Sequence, residues 1–188
     1  MVGIKRNLFV FFVVLVLGII LGTLGTLSFP INNNITNFWP AAALQTVSGI
    51  FFGWWGIAAG TLFPTISNAL TDGTLQHVFG LLPSNLVQSA LPYLIFRKFN
   101  LSMDLKKRRD IVIFCFLCAT LPHVLGGVLG CVLLYIFHAI SSLTICIDTM
   151  QTWWIGNIPC SIIFSFLLLK FAAPALHFSG LLDVCEDK

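Results

Sequence analysis

The stretch Phe38–Asn68, FWPAAALQTVSGIFFGWWGIAAGTLFPTISN, decides how the rest of the chain is threaded. It holds no Lys, Arg, Asp or Glu, and a Gly53-Trp54-Trp55-Gly56 step sits near its middle. With its flank it makes a charge-free run of 33 residues from Trp39 to Thr71. A helix crossing a bilayer needs about 20 apolar residues, so the run is too long for one ordinary span and short for two. Gly49, Gly53 and Gly56, with the paired tryptophans, supply a turn and an interfacial anchor at its midpoint.

The rest of the chain has the same character. Of its 188 residues 57% are hydrophobic and 9% charged, whereas a soluble domain carries roughly 25% charged residues. The apolar residues come in uncharged runs of bilayer length. This predicts one all-α domain over residues 1–188, a polytopic membrane helix bundle with membrane lipid around it. The basic residues form no aromatic-interleaved surface, which argues against nucleic acid as a partner. Six cysteines are scattered through apolar segments and read as buried free thiols rather than a disulfide framework, the Cys115-x-x-Cys118 pair included.

Charge parity sets the topology. Lys5 and Arg6 precede the apolar run 8–29 and place the N-terminus in the cytoplasm. The segment Arg97–Arg109 carries six basic residues against one Asp and belongs on the same side. An even number of crossings must lie between them. The runs 8–29 and 77–96 supply two, so the central stretch supplies two or none. Two short spans, 40–54 and 55–70, joined at a cytoplasmic tip are expected, with a re-entrant hairpin as the alternative. Spans 111–137, kinked at Pro122, and 153–170 follow, separated by an outer loop over Ala139–Gln151. The expectation is six transmembrane helices with both termini cytoplasmic, in the cell (inner or plasma) membrane. All ten Lys and Arg then lie on the cytoplasmic side. Asn34-Ile35-Thr36 is formally a glycosylation sequon in the loop after the first span.

No fixed charge lies deep in any span, which disfavours a carboxylate relay for pumping ions. The polar groups left are Gln45, Asn68, Asn85, Gln88, His123 and Asn157, all expected in the outer half. Amides and imidazoles are costly facing lipid and should point into the bundle. They read either as a pocket, open to the outside, for a small polar or aromatic solute, or as ordinary interhelical hydrogen bonding. The outer rim adds Trp39, Asp72, His77, Asp148, Trp153 and Trp154, of which Trp153 joins the ligand-binding set. The other tryptophans suit an interfacial belt, and Asp72 and Asp148 are the only acids expected outside. His123 and His138 stand 15 positions apart, about 22 Å along a helix, and cannot share a metal. No metal or cofactor is expected. No nucleophile–base pair, Walker loop or H-E-x-x-H is present, so no enzyme is expected either. On the first span, Gly18-Ile-Ile-Leu-Gly22 lets another helix approach closely, from this bundle or from a separate subunit.

The Phe52–Gly56 turn, the G-x-x-x-P-x-x-x-N helix from Gly60 to Asn68, Trp154-Ile-Gly-Asn157 and Lys170–Pro174 together resemble the substrate-binding S components of energy-coupling factor vitamin transporters. That resemblance implies a subunit that binds a vitamin or metal from outside, under a loop that follows the first span. Its partners would be a coupling membrane subunit and two ATPase subunits. Gly18 and Gly22 would stand on the docking face, where the family typically shows an Ala-rich pattern. A second resemblance is to the membrane-associated sensor domains of histidine kinases and diguanylate cyclases. It rests on Trp39-Pro40 and on the Trp-Trp-x-Gly-Asn run Trp153–Asn157. No output domain accompanies these motifs in the chain, which favours transport.

Overall fold

The central run turns back on itself at Gly53, whose backbone (φ 58°, ψ −137°) is in a region that side-chain-bearing residues avoid. The computed structural model describes residues 2–28, 30–32, 35–36, 38–71 and 74–182. Its helices are α1 (Val2–Ser28), α2 (Ala41–Thr71), α3 (Leu75–Lys98), α4 (Arg108–Ile136) and α5 (Leu143–Phe178). Five helices are thus long and apolar enough to cross a membrane. Asn34, Asp72 and the residues after Leu182 lie outside the described residues, as does the side chain of His77.

In α2 the arms 41–52 and 54–71 lie antiparallel. Trp39 stacks beside Phe63 (6.2 Å between rings), and Gln45 Nε2 donates to Gly60 O (3.3 Å). A methyl group at Gly56 would overlap the Ser48 carbonyl, so bare backbone is what lets the arms meet. At 1.5 Å per residue the arms are about 18 and 27 Å long. Five apolar helices, one of them folded in two, stand where six separate spans are expected. The reversal takes a single residue, so no loop separates the arms.

The tip of the α2 hairpin lies at the basic end of the molecule. The Trp54 ring stands 5.9 Å from that of Tyr93, whose hydroxyl accepts from Arg97 Nη1 at 2.8 Å. Trp55 meets Phe11 of α1 edge-on at 6.2 Å. At this end α1 begins, α3 ends and α4 begins. Lys106 and Lys170 meet there around one cavity, which brings the end of α5 to the same side.

Two expectations need correction. The outer loop over Ala139–Gln151 is helical from Leu143 onward. Ser142 Oγ caps this start by accepting from Ile145 N (3.3 Å), and Cys146, Thr149, Gly156, Asn157 and Cys160 recur along its buried face. The helix therefore begins ten residues before the expected 153. In addition, the linker between α1 and α2 is not wholly loop. Strands β1 (Pro30–Asn32) and β2 (Ile35–Thr36) pair antiparallel there, a small exception to an otherwise helical chain.

Prolines shape the long helices locally. The expected kink before Pro122 takes the form of a π-helical stretch, Phe114–Thr120, and a second one, Leu168–Ala172, precedes Pro174. A proline ring pushes away the carbonyl four residues back, and a wider turn relieves the clash. Three helices close with the same left-handed turn, at Asn100, His138 and Gly180 (φ 48°, 57° and 68°). In each, the next N–H reaches back five residues to a carbonyl at 2.9–3.1 Å.

Candidate functional site

Four elements bring polar side chains to one level of the bundle. Thr46 comes from the first arm of α2, Ser84 and Gln88 from α3, His123 from α4 and Ser161 from α5, and each is at most 1% exposed. Apolar clusters close the level from both sides. Toward the basic end lie Ile50, Phe51, Phe96, Phe114 and Leu169. Toward the other end lie Trp39, Ala42 and Cys160, and separately Leu81, Cys131 and Leu134.

Proton bookkeeping gives this layer a direction. Gln88 Oε1 can only accept, so His123 Nδ1 donates to it at 2.7 Å. The Thr46 hydroxyl accepts from Ser161 (2.8 Å), and its single proton is shared between the Ala42 carbonyl (2.9 Å) and Nε2 of that tautomer (3.2 Å). On the far side Gln88 Nε2 donates to Ser84 Oγ (2.9 Å), and Ser84 donates to the Gly126 carbonyl (2.7 Å). A methyl group at Gly126 would collide with Gln88, so a glycine is required where the amide passes. The chain Ser161, Thr46, His123, Gln88, Ser84, Gly126 runs without a break through all four elements. Such a sealed and mutually polarised network holds helices in register.

The other expected residues divide between satisfied and unsatisfied groups. Asn85 Nδ2 donates to Thr65 Oγ1 at 3.1 Å, tying α3 to the second arm of α2. Gln45 Nε2 donates to the Gly60 and Asn85 carbonyls at 3.3 and 3.4 Å, yet its Oε1 is buried without a hydrogen-bond partner among the described residues. The same holds for Asn157 Oδ1 and for the indole N–H groups of Trp153 and Trp154. Trp153, Asn157 and Ser161 follow one another at four-residue spacing and so form one stripe of α5. Only the innermost, Ser161, is held by the network. Asn157 stands 14 residues into α5, about 21 Å along the helix from its start, whereas a helix beginning at Trp153 would place it about 6 Å along. Asn68 is half-buried near the end of the second arm, and its side chain hydrogen-bonds none of the others.

The rim residues also have definite places. Trp39 is buried, with its indole N–H donating to the Gly22 carbonyl (3.3 Å) and its backbone N–H to the Gly156 carbonyl (3.3 Å). Asp148 is exposed on the first turns of α5. Gly18 lies against the Phe63 ring, and Gly22 against Ser67 and Trp39, so this glycine face of α1 is filled by α2 of the same chain. Among the described residues the five cysteines are free thiols, and no group of three His, Cys, Asp or Glu converges to hold a metal.

Thr46, Ser84, Ser161 and Thr65 were not singled out in the sequence. Helical hydroxyls commonly bond the carbonyl four residues back and carry no long-range signal on their own. A signal does exist in the spacing: Ser84–Gln88 and Asn157–Ser161–Ser165 repeat polar residues every fourth position on one face. The cavity at the basic end is lined by none of the expected site residues. No protein-family model, no curated protein sequence and no solved structure matches the chain.

Proposed function

We propose that this chain is a multi-pass protein of the cell membrane that binds a small polar solute from the outer side, as the substrate-binding subunit of an importer. In this reading the α2 hairpin contributes two short crossings, giving six in all. The basic end and both termini face the cytoplasm, in keeping with the positive-inside rule.

The observation that carries the reading is the unpaired stripe on α5. Asn157 Oδ1 and Trp153 Nε1 are a buried acceptor and a buried donor one helical turn apart, just outside a network in which every group is paired. Buried polar atoms in folded proteins are overwhelmingly hydrogen-bonded, and exceptions mark places where another partner belongs. A solute with both an acceptor and a donor, flat enough to lie along an indole, answers both atoms. The buried glycine face of α1 is occupied within the chain. A coupling subunit that docks on α1 would therefore meet its outward residues, such as Phe12, Val16 and Ile20.

The test is native mass spectrometry of gently extracted protein, with a search for co-purifying membrane and ATPase subunits. A retained, saturable small molecule that is lost in Asn157→Leu is expected. Protein that carries no solute and captures no coupling subunit defeats the proposal.

A sensory input role is the second reading. It draws support from one contact: the Trp39 N–H bonds the Gly156 carbonyl, joining the two motifs that resemble sensor domains. A kinase or cyclase domain encoded in frame beyond Lys188 would favour it.

A further inference from the structure

A cavity of about 790 Å³ opens at the basic end, between the end of α3, the 99–107 loop and the last turns of α5. Nine of its fourteen lining residues are apolar, Phe96, Leu101, Leu105, Phe166 and Leu169 among them. The loop is firmly placed, because Leu101 and Leu105 are buried and Ser102 Oγ donates to the buried Asp110 carboxylate at 3.0 Å. The α5 wall is the π-helical stretch Leu168–Ala172, a deformation often found at functional sites.

The rim is cationic. Lys106 and Lys170 line it. Among the described residues Asp104 is the one carboxylate in the lining, and it pairs with Lys106 at 2.8 Å. The hydrogen bond from Lys106 holds Asp104 below the usual carboxylate range, so it stays ionised and offsets that lysine. No described carboxylate pairs with Lys170, whose ammonium lies 5.6 Å from the centre of the Phe171 ring. Phe171 and Phe178, 67% and 95% exposed, place bare aromatic surface on the same segment of α5.

An apolar slot, a lysine that no described carboxylate pairs and exposed aromatics at the cytoplasmic face of a membrane bundle are complementary to an anionic amphiphile. We infer that this cavity is a site for an anionic phospholipid, with one acyl chain between Phe96, Leu105 and Leu169 and the phosphate at Lys170 and Lys106. A lipid is favoured over a soluble anion because most of the lining has nothing to offer a free phosphate. The inference is independent of the solute reading, since no residue of the Trp153–Asn157 stripe lines the cavity.

The experiment titrates the full-length protein in mild detergent with phosphatidylglycerol, phosphatidylcholine or glycerol phosphate, and reads occupancy by native mass spectrometry. Each lysine near an anionic lipid is worth about a factor of five in affinity. Lys170→Gln should therefore weaken phosphatidylglycerol about fivefold relative to phosphatidylcholine, and adding Lys106→Gln should weaken it further. A control double variant, Lys98→Gln with Lys107→Gln, removes two lysines of the basic end that do not line the cavity and should leave the preference intact. Equal losses in both double variants would assign the preference to the basic surface at large and overturn the site. Binding of glycerol phosphate as tight as that of the lipid would overturn the acyl slot. If Lys170→Gln binds phosphatidylglycerol like wild type, the proposal also falls.

Discussion

His123 is held on both ring nitrogens, by Gln88 at 2.7 Å and Thr46 at 3.2 Å, and has no exposed surface. Two magnitudes compete in judging what it contributes. A hydrogen bond between membrane helices contributes on average only about 0.6 kcal/mol, because the separated helices find other partners. Leaving a buried acceptor unpaired costs about 1–3 kcal/mol, because nothing replaces the lost donor. The second effect should win at His123, since apolar clusters close its level on both sides and Gln88 Oε1 has no described alternative. His123→Leu is expected to lower stability by about 2 kcal/mol. A thermal or denaturant unfolding series in detergent measures this, and a change under about 0.5 kcal/mol would mean that the network is not sealed. Asn157 should behave in the opposite way. Its oxygen has no partner among the described residues, so Asn157→Leu removes an orphan and should leave solute-free stability unchanged or raised by up to about 1 kcal/mol. The same variant should abolish solute binding. A large loss of stability would show that Asn157 is a structural group and remove it from the proposed site.

At the scale of elements, the α2 hairpin depends on two glycines for different reasons. Gly53 supplies a backbone conformation that side chains resist, while Gly56 supplies room for the Ser48 carbonyl. Gly53→Ala should destabilise by about 1–3 kcal/mol through backbone strain. Gly56→Ala should cost at least as much as a typical overpacked site, about 1–3 kcal/mol, because the obstacle is main chain and cannot change rotamer. Gly3→Ala is the control, since nothing lies within 4 Å of the added methyl, and it should be silent. If Gly56→Ala melts with wild type, the arms are not in backbone contact. This hairpin was legible in the sequence: an uncharged run of awkward length, glycines at its middle and basic segments on both flanks forced a reversal. The first ten residues of α5 were not. Asp148, Gln151 and Thr152 gave that stretch a loop-like polarity, whereas Cys146, Thr149, Trp153 and Asn157 carried a helical period beneath it. The polar layer was half legible. Its amides and imidazole stand out in apolar spans, but Thr46 and Ser161, which complete the chain to His123, look like any helical hydroxyl. Which of these groups are paired and which are left over depends on helix rotation, and rotation is set by packing that composition does not encode.

For the whole molecule, the distribution of charge is the strongest constraint. Nine of the ten Lys and Arg are described, and the segments that carry them meet at the end where the α2 hairpin turns. Juxtamembrane basic residues set orientation from the cytoplasmic side, so this end, the Gly53 tip included, should face the cytoplasm. The first arm is about 18 Å long, well short of a hydrocarbon core of about 30 Å. A tip of that length reaches the interface only if the bilayer thins locally or the arm's outer end lies within it, and Trp54, 67% exposed, is suited to sit at that level. Cysteine labelling decides the matter in intact cells and in inside-out vesicles. Four of the five described cysteines are buried and Cys115 is half-buried, so a Cys185→Ser background should label weakly. In that background Lys107→Cys and Trp54→Cys are expected to react with an impermeant maleimide only in inside-out vesicles, and Thr74→Cys only in intact cells. Labelling of Trp54→Cys from the same side as Thr74→Cys would make the hairpin re-entrant and reduce the crossings to four. The basic end would keep its orientation, because the parity of crossings is the same for a hairpin that traverses the membrane and one that enters and returns.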